Sequence, residues 1–446
     1  MSLAPTPSDQ AFDCDVLVIG GGPGGTTAAT KLAQAGHRVV LLDKDTHPRF
    51  HIGESLLPAN LPLFDELGVG EAVKAIGMYK PGVEFISPDH DFKRQRFYFA
   101  NAWDKSMPSA YQVRRSEFDH ILLKNAAKNG ADVHEACRVT AVDFAEGQRA
   151  ATVTAKTGDG TARTWRTRYV VDATGRDTFL ANKFKLKHKN AKHNSASVYT
   201  HFTGVRRDTG DDEGNISVYW FAHGWFWFIP LHDGSTSVGM VTWPYHLKSR
   251  GERDLETFFM DSVATVPPLA ERLANATRVH AMEATANFSY NSSASHGPGY
   301  VLIGDAFAFI DPVFSSGVLL AMRGGEAAAK CLDQSLRQPA QEAAAMAEFD
   351  RISRWGPKHF SWFIYRMTNP IIRDMFMGPR NIFRSEEALL SMLAGDLYGK
   401  TPIWNPLRFL KFIYYANSVS QPMRAFRAWK NRKRNIRAVE TSSTTH

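Results

Sequence analysis

The sequence of 446 residues predicts an α/β fold in three parts: a parallel sheet opened by a βαβ unit, an antiparallel sheet, and a helical C-terminal region. Three observations carry this prediction. An apolar run from Cys14 ends in the turn Gly20-Gly21-Gly22-Pro23-Gly24-Gly25; residues from about 195 to 290 alternate polar and apolar; and after Gly324 the apolar spacing turns helical.

Cys14 to Gly20, rich in Val and Ile, reads as a strand, and Thr26 to Ala35 reads as a helix stopped by Gly36. A second apolar run, Arg38 to Leu42, ends in Asp43, twenty-three positions after Gly20. Gly20 permits the turn, Gly22 lets backbone approach a pyrophosphate, and Gly25 lets helix and strand pack closely. Pro23 lies in the same turn, and the helix start offers free N–H groups and a positive dipole end to phosphate. Asp43, followed by Lys44, stands where an acid accepts hydrogen bonds from ribose hydroxyls. The combination predicts dinucleotide binding; a purely structural glycine turn is the alternative.

Two later stretches return to this place. Tyr169-Val170-Val171-Asp172-Ala173-Thr174-Gly175-Arg176 is an apolar strand ending in a small-residue turn. Gly299-Tyr300-Val301-Leu302-Ile303-Gly304-Asp305-Ala306 is a strand with Asp305 at its C-terminal end, where open α/β sheets bind ligands. In this order, behind the glycine turn, they favour FAD over NAD and resemble the Rossmann-type FAD-binding domain of the p-hydroxybenzoate-hydroxylase-like class.

Between them, Ser197-Val198-Tyr199-Thr200-His201-Phe202 and Ser237-Val238-Gly239-Met240-Val241 read as strands of an antiparallel sheet with one face toward substrate. Gly224-Trp225-Phe226-Trp227-Phe228-Ile229-Pro230 places two indoles on one face of a strand, an arrangement that ordinarily means core packing. The helical part comprises Glu326 to Leu336, Gln341 to Trp355, Ser361 to Phe376 and Ser385 to Leu397, with no repeat of 20 to 50 residues. The expected division is 1–80, 110–190 and 296–335 for cofactor, 81–109 and 191–295 for substrate, and 336–446 as the helical region.

Composition sets limits. Hydrophobic content of 43% and charged content of 22% suit a globular chain. Cys14, Cys137 and Cys331 are too scattered for a disulfide framework or a metal site, which suggests a reducing, cytoplasmic setting and no metal. Residues 1 to 13 lack the basic start and apolar core of a secretory leader. The longest apolar stretch, Val301 to Met322, is broken by Asp305, Asp311 and Pro312, so no membrane span is expected. The net charge of +8 resides almost wholly in Gln421 to Arg437, which holds seven basic residues and no acid. The body is therefore near neutral, and neither nucleic acid nor a membrane is an expected partner.

Taken with the FAD fingerprint, the Trp225-x-Trp227-x-Ile229-Pro230 motif and the loop Phe309-Ile310-Asp311-Pro312-Val313-Phe314-Ser315-Ser316-Gly317 resemble the flavin-dependent halogenases. The likeness spans roughly Asp13 to Lys400. It is closest to the branch acting on phenols and pyrroles, free or held on acyl or peptidyl carrier proteins, through His51-Ile52-Gly53-Glu54-Ser55-Leu56-Leu57-Pro58 and Gly395-Asp396-Leu397-Tyr398.

The resemblance implies FAD used as FADH2, with O2 and chloride or bromide: a flavin hydroperoxide, hypohalous acid from halide, and transfer by a lysine beside the substrate. Lys80 matches that lysine, and a desolvated amine can hold the oxidised halogen by hydrogen bond or as a haloamine. A solvated Lys80 before a turn is the plain alternative; Lys74, on a helix-like run, is expected to face water. Trp225, Trp227, Ile229, Pro230 and Phe314 would wall flavin from substrate. The backbone amides of Ser316 and Gly317 would contact halide. Arg49, Ser55, Arg115, Asp305 and Gly317 would complete the cofactor site, although Arg115 equally suits a surface cap. Asp311 stands where some relatives link flavin covalently, a bond left open. Phe314 replaces the glutamate of tryptophan halogenases, which argues against free tryptophan.

With one dinucleotide fingerprint, the chain is expected to receive reduced flavin from a separate reductase, as a monomer or homodimer. The competing activity is that of a flavin monooxygenase or geranylgeranyl-reductase-like oxidoreductase; the competing class is a flavoprotein that only binds. In the tail, Trp404 to Arg437 interleave aromatics with cations. An aromatic face packed on the body, a dock for an acidic carrier protein and a membrane-surface helix all remain open.

Overall fold

The computed structural model describes residues 12–144, 150–190, 193–286 and 289–437. Most of the stretch read as lacking a secretory leader, 1–11, lies outside the described residues, as do the last nine residues of the tail.

The first sheet runs in the order His296–Gly297, Tyr300–Leu302, Ala162–Asp172, Cys14–Ile19, Val39–Leu42, Asp132–His134. Along this order every pairing is parallel except the edge pair 296–297 with 300–302, and two further strands join the sheet antiparallel, beside Ala162–Asp172. Parallel strands are buried on both faces, which explains their continuous apolar runs. Val16, Val18, Leu41 and Val171 pack with Ala28, Leu32, Ala328 and Leu332 of the covering helices. Leu17, Ile19, Val40 and Val170 face the other way, toward Val142, Val153 and Trp165. The latter come from strands Arg138–Phe144 and Ala151–Lys156, a meander continuing from Ala162–Asp172.

The second sheet runs Thr277–Arg278, Ala196–Thr203, Thr236–Thr242, Gly224–Pro230, Ile216–Phe221, Gly82–Ser87, Lys93–Tyr98. One pairing departs from the expected antiparallel sheet: Gly82–Ser87 lies parallel to Ile216–Phe221. These strands lie far apart in sequence, so no hairpin imposes opposite directions on them. Alternation along Gly224–Pro230 sends Trp225, Trp227 and Ile229 to one core and Phe226 and Phe228 to another, against Phe258 and Phe259 of helix Leu255–Ala264.

Helix boundaries differ from expectation at three places; the run Ser361 to Phe376, read as one helix, is split, its start ending helix Glu342–Ile364 and its remainder forming helix Pro370–Met377. One helix spans Gly317–Arg337, starting well before Glu326. Gly324-Gly325 reads as a break, but it lies where this helix crosses helix Pro23–Gln34: a Cβ on Gly325 would sit 2.3 Å from the Gly24 carbonyl oxygen. A second helix, Glu342–Ile364, continues through Pro357 rather than ending at Trp355. Pro357 removes a backbone donor, but Phe349 before it and Phe360 and Phe363 after it are buried, which keeps both halves in line.

The tail forms helices Trp404–Ser420 and Pro422–Arg437. Leu407 and Tyr414 are buried, whereas Phe412, Tyr415, Phe426 and Trp429 are exposed. An aromatic face packed on the body therefore describes only part of the first helix. No described helix is long and apolar enough to cross a membrane.

Candidate active site

The site forms where the two sheets meet. A cavity of about 500 Å³ is lined from the first sheet by Gly20, Gly22, Pro23, Asp43, Lys44 and Asp305. The second sheet contributes Ser197, Tyr199, Trp225, Trp227 and Ile229, and the long helix contributes Gly317 at its start.

Each wall has a local cause. Parallel register brings the C-terminal ends of Cys14–Ile19, Val39–Leu42, Ala162–Asp172 and Tyr300–Leu302 to one edge, so the turns that follow all open on one cavity. Gly25 does not line it. A Cβ there would fall 1.9 Å from the Gly20 carbonyl oxygen, so this glycine lets the helix start close against the strand. The Gly22 Cβ direction, in contrast, is open, with only the Arg49 guanidinium 3.9 Å away. Asp43 accepts hydrogen bonds from the N–H groups of Gly21 at 2.5 Å and Asp45 at 2.8 Å, which aims its buried carboxylate. A glycine cradle, a buried acceptor and helix-start amides together fit an extended dinucleotide such as FAD.

The remaining cofactor candidates are placed as follows. Lys44 pairs with Asp177 at the rim. Arg115 is buried, not a surface cap: it chelates Asp119 at 2.8 and 3.0 Å and donates to the Ile52 carbonyl at 3.1 Å. Arg49 approaches the same Asp119 at 3.5 Å. Arg49, Ser55 and Arg115 all line the cavity. Burial raises the Asp305 carboxyl to about 6, against the opposing pull of Arg176 and Arg115.

Lys80 lies in a short strand, Met78–Lys80, paired with Ala110–Gln112. Strand alternation turns Tyr79 to solvent and Lys80 inward, where it is 1% exposed. Its ammonium donates to Ser55 Oγ at 2.9 Å and to the Leu56 carbonyl at 2.8 Å, and lies 5.3 Å from the Phe99 ring centre. Desolvation lowers its pKa to about 7. Lys80 is outside the cavity lining, yet Ser55, which it touches, is part of that lining. Lys74, on helix Gly70–Ile76, is exposed, as expected.

Trp225 and Trp227 line the cavity side by side, their ring centres 6.0 Å apart, and the Trp227 indole N–H donates to Ser237 Oγ at 3.1 Å. Pro230 and Phe314 are buried but do not line it. Ser315 adopts a left-handed φ of 56°, Ser316 caps the helix beginning at Gly317, and the first-turn amides have no acceptor within the helix. Ser316 is buried outside the lining. Asp311 also lies outside it, its carboxylate accepting from Ser195 Oγ at 3.0 Å and the Val313 N–H at 3.2 Å, with His193 Nε2 at 2.9 Å.

Sequence reasoning missed one buried pair. His201 Nε2 lies 2.9 and 3.0 Å from the Glu54 carboxylate oxygens, and both residues are at most 2% exposed. Glu54 lies in the Gly53-Glu54-Ser55 loop and His201 in strand Ala196–Thr203, but no spacing joins positions 54 and 201. The pair ties the loop carrying Ser55 to the second sheet. Among the described residues no cluster of three or more His, Cys, Asp or Glu could hold a metal ion.

Fold and site together define an FAD-binding enzyme. The model of the FAD binding domain family matches residues 13–351. A 1H-pyrrole-2-carbonyl-[peptidyl-carrier protein] chlorinase of Pseudomonas fluorescens is 30% identical over 410 residues, covering 86% of this chain and 90% of that protein. A tryptophan 2-halogenase of Chondromyces crocatus is 34% identical over 341 residues, covering 75% and 64% respectively. The solved myxobacterial chondrochloren halogenase CndH superposes with a TM-score of 0.75 at 32% identity, covering 88% of this chain and 92% of that one. The chain belongs to the flavin-dependent halogenases.

Proposed function

We propose that this enzyme chlorinates or brominates an electron-rich aromatic ring, a phenol or a pyrrole, free or carried on an acyl or peptidyl carrier protein, with Lys80 as the catalytic amine. The observation that carries this reading is a fully desolvated lysine one hydrogen bond away from the cofactor cavity, through Ser55. Bound and reduced, FAD would supply two electrons to O2, and the oxygen so activated would take two more from halide, giving hypohalous acid and water.

The chain's own residues would do the rest. Gly20, Gly22, Pro23 and Asp43 would hold the dinucleotide, with Arg49, Ser55, Arg115 and Asp305 around it. Trp225, Trp227 and Ile229 present an apolar wall that limits what reaches the flavin. Near pH 7 the Lys80 amine is poised between its charged and neutral forms, able either to donate a hydrogen bond to hypohalous acid or to take up halogen. Its burial keeps the oxidant from bulk water. Ser316 and Gly317 amides would hold halide. Reduced flavin would come from a separate reductase.

Purified enzyme given FAD, a flavin reductase, O2 and chloride or bromide should convert members of a phenol and pyrrole panel, free and carrier-bound, to haloarenes detected by mass spectrometry. The ring-selective arm includes tryptophan. Hydroxylated products in place of halogenated ones would support a monooxygenase, and halogenated tryptophan alone would overturn the substrate assignment.

A further inference from the structure

The helix Pro422–Arg437 is mounted inside out. Arg424 pairs with Asp374 of helix Pro370–Met377. Arg432, one face-repeat further on, lies 5.5 Å from the Tyr365 ring centre. Positions 424, 425, 428, 432, 435 and 436 are partly covered by the body, as residues on one face of a helix should be. The opposite face is turned to solvent and displays three large apolar side chains: Met423, Phe426 and Trp429 are 65, 57 and 51% exposed. Phe426 and Trp429 stack with ring centres 5.8 Å apart, and the Lys433 ammonium lies 3.9 Å above the Trp429 ring. Arg427, Lys430 and Lys433 share this face and are exposed. In the preceding helix, Phe412 and Val419 are 64 and 79% exposed.

A helix serving only the fold would bury its aromatics and wet its arginines. Here Arg424 and Arg432 anchor the helix while Phe426 and Trp429 are displayed. From 401 to 437 there is no acidic residue, and nine are basic. We propose that this face is a membrane-surface contact that seats the enzyme on anionic phospholipid headgroups, with Met423, Phe426 and Trp429 entering the interface and Arg427, Lys430 and Lys433 at headgroup level. About 24 Å of helix at 1.5 Å per residue would lie in the plane of the surface.

Charge excludes a second copy of this chain as the occupant. A two-fold contact would set this patch against itself, cation on cation. An acidic protein could be recruited by the cations alone and gives no reason for three large apolar side chains to stand in water between them.

The full-length protein should float with vesicles containing phosphatidylglycerol and not with phosphatidylcholine vesicles, and raising salt to about 0.5 M should weaken the binding. Each basic residue near an anionic surface is worth about fivefold in partitioning, so Arg427→Gln/Lys430→Gln/Lys433→Gln should cost roughly 100-fold. Met423→Ser/Phe426→Ser/Trp429→Ser should abolish flotation, with far-UV circular dichroism, FAD binding and melting unchanged. Failure of the wild-type chain to float at low salt, or equal flotation with both lipids, would overturn the proposal. So would loss of vesicle binding together with salt-sensitive capture of an acidic carrier protein by the same face.

Discussion

Replacing Lys80 by methionine separates the energetic role of this residue from its chemical one. A lysine whose pKa falls from 10.5 to about 7 is charged only at the cost of leaving water. At about 1.4 kcal/mol per tenfold, the folded state at pH 7 is destabilised by roughly 4 kcal/mol relative to a chain with no amine there. The unfolded chain binds the proton more readily between pH 7 and 10.5, so this penalty fades as pH rises through that window and is gone above 10.5. Methionine fills similar volume but leaves Ser55 Oγ and the Leu56 carbonyl without their donor, a loss of about 1 to 3 kcal/mol for each buried group. Those losses do not depend on pH. The assay is thermal or urea unfolding of both proteins at pH 7 and pH 10. Wild type should gain about 3 kcal/mol on Lys80→Met between them, and the variant should bind FAD and consume O2 while forming no haloarene. A wild-type-minus-variant difference that is flat with pH would refute the desolvated amine, and haloarene formation at the wild-type rate would refute its catalytic role.

Other expectations test separate parts of the site. Gly25→Ala puts a methyl 1.9 Å from a backbone oxygen; the helix start must move, and FAD affinity measured by flavin fluorescence should fall at least tenfold. Acid precipitation of the FAD-loaded enzyme should release all its flavin to the supernatant, because the Asp311 carboxylate is held by Ser195 and the Val313 amide beside His193; flavin retained on the pellet would show a covalent bond. The Asp305 carboxyl, raised to about 6, binds its proton more tightly folded than unfolded, so wild type should lose stability relative to Asp305→Asn as pH rises from about 4 to 6. Melting curves across that range would check it, and a constant difference would contradict it.

Much of this protein was legible in the sequence because the signals were local. The glycine turn, the acid at Asp43, the returning strands at 169–176 and 299–306 and the inward-pointing indoles all depend on spacings within one or two elements, which strand alternation and parallel register then carry into place. Lys80 is the intermediate case: resemblance marked it, but burial by Phe99 and contact with Ser55 arise only when strand Met78–Lys80 meets Ala110–Gln112. What tertiary structure alone decided is of another kind. Helix Glu342–Ile364 survives Pro357 because its own Phe349, Phe360 and Phe363, on either side of the proline, are buried in the cores; Gly82–Ser87 runs parallel to its partner because no hairpin links them; Glu54 finds His201 across 147 positions; and the last helix turns its aromatics outward because Asp374 draws Arg424 in. In each case local spacing leaves the outcome open or even opposes it, and long-range packing and charge decide.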